Sequence, residues 1–265
     1  MFSALHRQAS NGGAAMLAII GGTGLTKLSG FEQVGVETVA TPYADDAVDL
    51  LRFRFEEREF FFLPRHGSDH QIPPHLINYR ANIYALAEAE VGEIVAVNAV
   101  GAIHSDFSPG SFAVPDQIID YSHSRESTFF DGALHPVDHI DFTTPYSETM
   151  RQRVLLALKS ANARQEREYA AITSGTYACT QGPRLESAAE IRRLARDGCD
   201  MVGMTGMPEA ALARELQMQY ASLALSVNWA AGLSDDPISL ADIHAVLENG
   251  MTFVAAVLAE VVRGS

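Results

Sequence analysis

The segment that most constrains the fold is Glu93–Val100 (EIVAVNAV), apolar and β-branched with no polar alternation. A strand of that kind is buried on both faces, which happens in sheets layered between helices. Leu17–Ile20 is a shorter apolar run that stops at Gly21-Gly22-Thr23-Gly24, and Asp200–Met204 and Tyr220–Asn228 predict further buried strands. Asp49–Phe55 and Glu59–Leu63 flank a charged turn and predict a β-hairpin, and Tyr169–Tyr177 predicts another strand. Helical segments fall between them: Tyr79–Ala89, the amphipathic Glu148–Asn162, Pro183–Arg196 with proline near its start, and Pro208–Leu216. A last helix begins after Ser239, a good N-cap. Its Leu240, Ile243, Leu247, Met251, Val254, Leu258 and Val261 advance by threes and fours along one face. Strands alternating with helices almost to the end predict an α/β fold.

With 265 residues, 47% of them hydrophobic, the chain can build one large core. No repeat, low-complexity tract or linker divides it, so residues 17–265 are expected to form one domain. Residues 1–16 are expected to be a disordered leader, because no apolar core precedes Gly12-Gly13-Ala14-Ala15 as a signal peptide requires. The formal net charge of −14 repels nucleic acid and anionic membrane, though a local site can still hold a small anion. No apolar run approaches the ~20 residues of a membrane span. Cys179 and Cys199 have neither metal spacing nor the pattern of a disulfide framework, which fits a reducing cytosol. His104, His123, His135 and His139 are spaced too irregularly to predict a metal site. They belong to Ser105–Pro145, a weakly periodic segment long enough to be functional or interfacial.

Four strand ends carry hydrogen-bond donors. Gly21-Gly22-Thr23-Gly24 lets backbone N–H groups approach an anion, with the Thr23 hydroxyl beside them. It matches neither a nucleotide P-loop nor the dinucleotide fingerprint, and a plain tight turn is the alternative. Pro64-Arg65-His66-Gly67 follows an apolar strand; Arg65 offers a fork of donors for phosphate and His66 a further one, unless Arg65 is paired with an acidic residue. Gly203-Met204-Thr205-Gly206-Met207 lies between a buried strand and a helix start, and Asn98-Ala99-Val100-Gly101 ends the central strand. Ligands in open α/β sheets gather where strand ends meet. Donors without a metal or an acidic catalytic pair suit an anionic co-substrate better than hydrolysis.

The stretches IIGGTGL, RHG followed by NYRAN, VNAVGAI, YACTQGPRLES and DMVGMTGMPEAALARE resemble those of the trimeric purine nucleoside phosphorylase and methylthioadenosine phosphorylase family. The likeness runs from about Ala18 to the last helix and is strongest to the bacterial S-methyl-5'-thioinosine phosphorylases. It implies a three-layer αβα fold with a mixed central sheet, assembled as a homotrimer. It also implies phosphorolysis of a purine nucleoside, with inorganic phosphate as co-substrate and no cofactor. Thr23, Arg65, His66, Asn98, Ala99 and Thr205 fall at the family's phosphate positions, and Met204 where a methionine backs the ribose. Leu185 and Glu186 fall where the family places a base-stacking residue and, in members acting on 6-oxopurines, a glutamate. Asn228 falls where N7 and the 6-substituent are read, followed by Trp229 and Ala230. His139 matches a position that reaches into a neighbouring subunit's site, and His70 is expected beside Ile243 in the 5' pocket. Ile243 replaces the histidine found near the 5'-hydroxyl in members acting on ordinary nucleosides, and His244 is one residue away.

Glu186 and Asn228 are thus the expected catalytic residues. Two departures bear on specificity: Leu185 replaces the common aromatic, and Trp229-Ala230-Ala231-Gly232 resembles neither the adenine-reading nor the usual inosine/guanosine segment. The other enzymatic readings are an inosine/guanosine phosphorylase and a methylthioadenosine phosphorylase. A nucleoside-binding protein on the same fold is the non-enzymatic reading. A structural alternative for Glu186 is a surface pair with Arg192 or Arg193.

Overall fold

The computed structural model describes residues 15–22, 25, 30–166 and 168–265. Their apolar side chains sort onto the two faces of one sheet. The central strand β5 (Val91–Ala102) shows the sorting directly, as strand geometry requires. Ile94, Ala96, Val100 and Ala102 point into one core, and Val95 and Val97 into the other. The first core is roofed by α1 (Tyr79–Glu88) and α4 (Glu209–Glu215), the second by α2 (Glu148–Asn162) and α5 (Leu240–Arg263). Three layers result, as expected. Burial on both faces explains why the sequence of β5 does not alternate.

Flanking β5 are β1 (Met16–Gly21), which is parallel to it, and β11 (Gln219–Trp229), parallel along its other edge. Beyond β1 lie β4 (Arg58–Pro64), β3 (Val48–Phe55) and β2 (Glu32–Val39). The β3–β4 hairpin is as expected, and its antiparallel pairing makes the sheet mixed. β2 is a solvent-facing antiparallel strand whose weak apolar pattern gave no signal in the sequence. Met16, expected in the leader, belongs to β1, and residues 1–14 of that expected leader lie outside the described residues.

Past β1, the same edge of β5 is taken over by β10 (Met201–Gly203), now antiparallel. β10 continues to β9 (Thr176–Cys179) and β7 (Gln117–Asp120), while β6 (Phe112–Ala113) and β8 (Ala171–Ile172) pair beside β11. The strand expected over Tyr169–Tyr177 is therefore two strands in different places, separated at Gly175, whose φ is +141°. Pro183 does not open a helix: α3 (Ala188–Arg196) starts after Ser187, where Ser187 and Glu190 form a reciprocal capping box. The long Ser105–Pro145 segment contributes β6 and β7 but remains mostly irregular.

Ser239 caps α5 as expected, its side chain accepting from the Asp242 N–H. The buried face runs through Leu247, Phe253, Val254, Val257, Leu258, Val261 and Val262, whereas Leu240, in the first turn, is 70% exposed. By length and composition α5 could cross a membrane, a property the absence of a continuous apolar run concealed. Here its apolar side packs on β11 and α2.

Candidate active site

Between Ala96, where pairing with β1 ends, and Gly101, where pairing with β10 begins, one edge of β5 is released from the ladder. Backbone groups there need other partners. Arg65, just past the end of β4, supplies one: its Nη1 donates to the Val97 carbonyl at 2.9 Å. Gly22 lets this happen, because a Cβ there would lie 2.6 Å from the Val97 oxygen and 2.9 Å from Arg65 Nη1. A cavity opens at this fork, walled by the ends of β1, β4, β5, β10 and β11.

Arg65 is 1% exposed and fully engaged on one side. Its Nε donates to Glu209 Oε2 at 2.9 Å and its Nη2 to Glu209 Oε1 at 2.7 Å. Glu209, in the first turn of α4 and 1% exposed, also accepts from the Tyr220 hydroxyl at 2.8 Å. The alternative of a paired Arg65 is therefore realised, yet Arg65 also lines the cavity. Burial works against its charge, and the Glu209 carboxylate outweighs that effect, so the guanidinium is held more firmly protonated than usual. The guanidinium has five N–H groups, of which these bonds occupy one on each nitrogen. One N–H on each of Nη1 and Nη2 is thus left over.

His66 also lines the cavity. Its Nδ1 is 2.8 Å from the Ile72 carbonyl, which can only accept, so Nδ1 carries the proton. Burial, then the Arg65 charge, lowers its pKa from 6.5 to about 4. The neutral ring consequently has Nε2 as an acceptor and not as the donor the sequence suggested. His70 does not line the cavity; it is exposed and its ring lies 4.4 Å from that of His66.

Thr205 and Ala99 line the cavity, but Asn98 stands behind it. Even-numbered residues of β5 face α1 and α4, and Asn98 is 2% exposed among them. Its Nδ2 donates to Thr205 Oγ1 at 2.9 Å, and its Oδ1 accepts from Ser222 Oγ at 2.8 Å. It orients the Thr205 hydroxyl instead of facing the cavity itself. Thr23 lies outside the described residues.

On the remaining walls are Met204, Leu185, Glu186, Asn228, Ala230 and Ile243, all expected, with Ile238, Pro74 and Val227, which were not. Met204 packs at Gly182, whose φ is +62° and where a Cβ would meet the Met204 sulfur at 2.5 Å. A bulge brings Asn228 to the cavity: Ser226 pairs with Val100, but Asn228 already pairs with Gly101. Such an extra residue re-aims side chains. Asn228 Nδ2 donates to the Trp229 carbonyl at 2.7 Å, which settles the amide orientation and leaves Oδ1 and one N–H available. Trp229 itself does not line the cavity; it packs on the α1/α4 core. Ile243 lines the cavity, and His244, one residue on, is exposed.

Glu186 accepts from Thr180 Oγ1 at 2.6 Å. Arg193 pairs with Asp197 at 3.6 Å, and among the described residues no ion pair joins Glu186 to Arg192 or Arg193. Leu185 is 45% exposed at the cavity rim. His139 is exposed, and within one chain it is not brought to the cavity. Sequence reading also missed Glu209 and Arg125. The guanidinium of Arg125 donates to the carbonyls of Thr180, Gln181 and Met207 and so fastens two loops that border the site. Glu209 lies within the stretch DMVGMTGMPEAALARE, but its role depends on Arg65, 144 residues away, and Arg125 likewise acts through distant partners.

A family model described as the phosphorylase superfamily matches residues 16–263, and the chain belongs to that superfamily. Over nearly its whole length it is similar to a protein of Pseudomonas syringae pv. tomato named a probable S-methyl-5'-thioinosine phosphorylase. The two are 51% identical over 248 residues, 94% of this chain and 98% of the relative. A 6-oxopurine nucleoside phosphorylase of Pyrococcus furiosus is 43% identical over 237 residues, 88% of this chain and 86% of that one. Among solved structures, methylthioadenosine phosphorylase from Schistosoma mansoni in complex with adenine superposes with a TM-score of 0.87. It is 30% identical, over 94% of this chain and 91% of that one.

Two outcomes follow from these charges. Arg65→Ala leaves the Glu209 carboxylate buried without its cation and is expected to cost about 3–5 kcal/mol of stability. Arg65→Ala/Glu209→Ala is expected to cost less than the two single variants together. Urea unfolding of the four proteins checks this, and additivity within error would exclude the coupling. For His66, the unfolded ring (pKa 6.5) binds its proton before the folded one (about 4). The stability due to the neutral ring is complete above pH 6.5 and lost as pH falls toward 4, by about 3 kcal/mol. His66→Gln is expected to remove that part of the pH dependence in unfolding measured at pH 4.5 and 7.5.

Proposed function

We propose that the protein catalyses phosphorolysis of S-methyl-5'-thioinosine, releasing hypoxanthine and 5-methylthioribose 1-phosphate. The observation that carries this reading is the set of side chains sharing one cavity. Arg65 and Thr205 offer anion donors, Glu186 and Asn228 offer polar groups for a base, and Ile243 and Ile238 are apolar. The names of the bacterial relatives support the same reading.

Breaking the N-glycosidic bond develops positive charge on the ribose and negative charge on the departing purine. Phosphate held by the free N–H groups of Arg65 and by Thr205 stabilises the first charge and then attacks C1'. Asn228 stabilises the second: its Oδ1 accepts from N7–H once that nitrogen has taken a proton from solvent water, and its remaining N–H donates to O6. An ionised Glu186 accepts from the N1–H of a 6-oxopurine but repels the bare N1 lone pair of a 6-aminopurine. Isoleucines at the 5' end offer a buried hydroxyl no partner and suit a methylthio group. Geometry and preorganised charge carry such a reaction with inorganic phosphate as co-substrate and no cofactor.

A 6-oxopurine nucleoside phosphorylase is the second reading. It shares the roles of Glu186 and Asn228 and differs at the 5' end. The assay that separates the readings measures base release with and without phosphate from methylthioinosine, methylthioadenosine, inosine and guanosine in parallel. Release is expected only with phosphate, with methylthioinosine far ahead of methylthioadenosine and about 10–200-fold ahead of inosine. Equal release without phosphate would mean a hydrolase. A preference for methylthioadenosine would refute the base reading, and equal turnover of inosine the reading of Ile243.

The active assembly under this proposal is a homotrimer in which His139 and its loop complete a neighbour's site. The support is exposed apolar surface beside it, with Leu134 50% and Val137 65% exposed. Light scattering is expected to give the mass of three chains, and a fully active monomer would refute the assembly.

A further inference from the structure

Glu186 stands on an irregular stretch between Gly182 and the N-cap Ser187, not in a helix or strand. It borders two cavities: the one described above and an outer one lined also by His123, Gln181, Arg184 and Glu190. A flexible glutamate with space on both sides has no fixed carboxylate position of its own. The nearest arginines do not supply one. Arg184 is bidentate on Glu190, at 2.9 and 2.8 Å, and Arg193 pairs with Asp197. The carboxylate's hydrogen bond comes from Thr180 instead, Oγ1 to Oε1 at 2.6 Å.

Thr180 is itself held firmly. It follows β9, its N–H donates to the Gly203 carbonyl at 2.8 Å, and its own carbonyl accepts from Arg125 Nη2 at 3.1 Å. Its hydroxyl hydrogen has one other acceptor in reach, the Gly203 carbonyl at 3.3 Å. The nearer and charged carboxylate makes the stronger bond.

The geometry points to Thr180 as a positioning residue for base selection: its hydroxyl holds Oε1 of Glu186 so that Oε2 is left to accept the N1–H of a 6-oxopurine. This inference rests on the proposed reading of Glu186 and goes beyond it. It assigns selectivity to a residue that does not line the inner cavity and touches no substrate. Thr180 and the carboxylate it aims are six residues apart across an irregular loop, both within the stretch YACTQGPRLES.

Thr180→Val keeps the side-chain shape and removes the donor, whereas Thr180→Ser keeps the donor. Both are assayed with phosphate on methylthioinosine and methylthioadenosine, and Thr180→Val also in a Glu186→Gln background. Thr180→Val is expected to lower the ratio of the two kcat/KM values about tenfold or more, as loss of a hydrogen bond to a charged group predicts. Thr180→Ser is expected to preserve the ratio. In the Glu186→Gln background Thr180→Val is expected to leave the ratio where Glu186→Gln alone puts it, because the two residues act as one unit. An unchanged ratio in Thr180→Val, with a shifted one in Glu186→Gln, overturns the role of Thr180 and leaves the reading of the site intact. An unchanged ratio in both overturns the reading of Glu186 and the inference with it. If Thr180→Val does not fold, Thr180→Ala removes the same donor without added bulk, and its ratio decides.

Discussion

Arg65 and Glu209 are 144 residues apart in the chain and meet in a bidentate pair with almost no exposure to solvent. Few interactions are less tolerant of error. Removing both charges from water costs several kcal/mol each, repaid only when the geometry is good and the remaining donors and acceptors are satisfied. Here they are. The Val97 carbonyl takes one guanidinium N–H and the Tyr220 hydroxyl donates to the carboxylate. The pair therefore ties the end of β4, the start of α4, the middle of β5 and the start of β11 into one arrangement. The N–H groups it leaves over on Arg65 are fixed in direction, which is the condition for electrostatic preorganisation.

The fork in the sheet creates the space those groups face. β5 has β1 along one half of an edge and β10 along the other, and the two run in opposite directions. Between them the ladder is interrupted, and side chains replace the missing strand contacts. Behind that opening Asn98 and Ser222 orient Thr205, and the bulge in β11 turns Asn228 into it. An uninterrupted sheet of the same strands would have backbone hydrogen bonds where this one has a cavity. The polar groups are thus kept by their neighbours and not by solvent, so each has a defined orientation before any ligand arrives.

A second layer of residues keeps the loops of the site in place. Arg125, from the irregular segment before α2, donates to three loop carbonyls on two separate loops. Thr180, one of the residues it fastens, passes that order to Glu186. The segment that carries little periodicity in sequence is therefore a source of rigidity at the site, because its contribution comes through one arginine and not through regular structure.

By itself the sequence determined the layered α/β architecture, because unbroken apolar strands admit little else, and it determined α2 to the residue through its amphipathic pattern. Family resemblance also placed Arg65, His66, Ala99, Met204, Thr205, Leu185, Glu186, Asn228, Ala230 and Ile243 at site positions, and all of them line the cavity. The tertiary structure alone decided what these residues do with their hydrogen bonds. It paired Arg65 with Glu209, gave the Nδ1 proton of His66 to a carbonyl, and turned Asn98 away from the cavity and Trp229 into the core. It separated Ile243 from His244, a one-residue distinction that depends on how α5 rotates against the sheet. The reason is the range of the forces involved. Periodicity and capping are local and are written in adjacent residues, whereas the partner of a buried charge or amide is chosen by whatever distant segment arrives beside it.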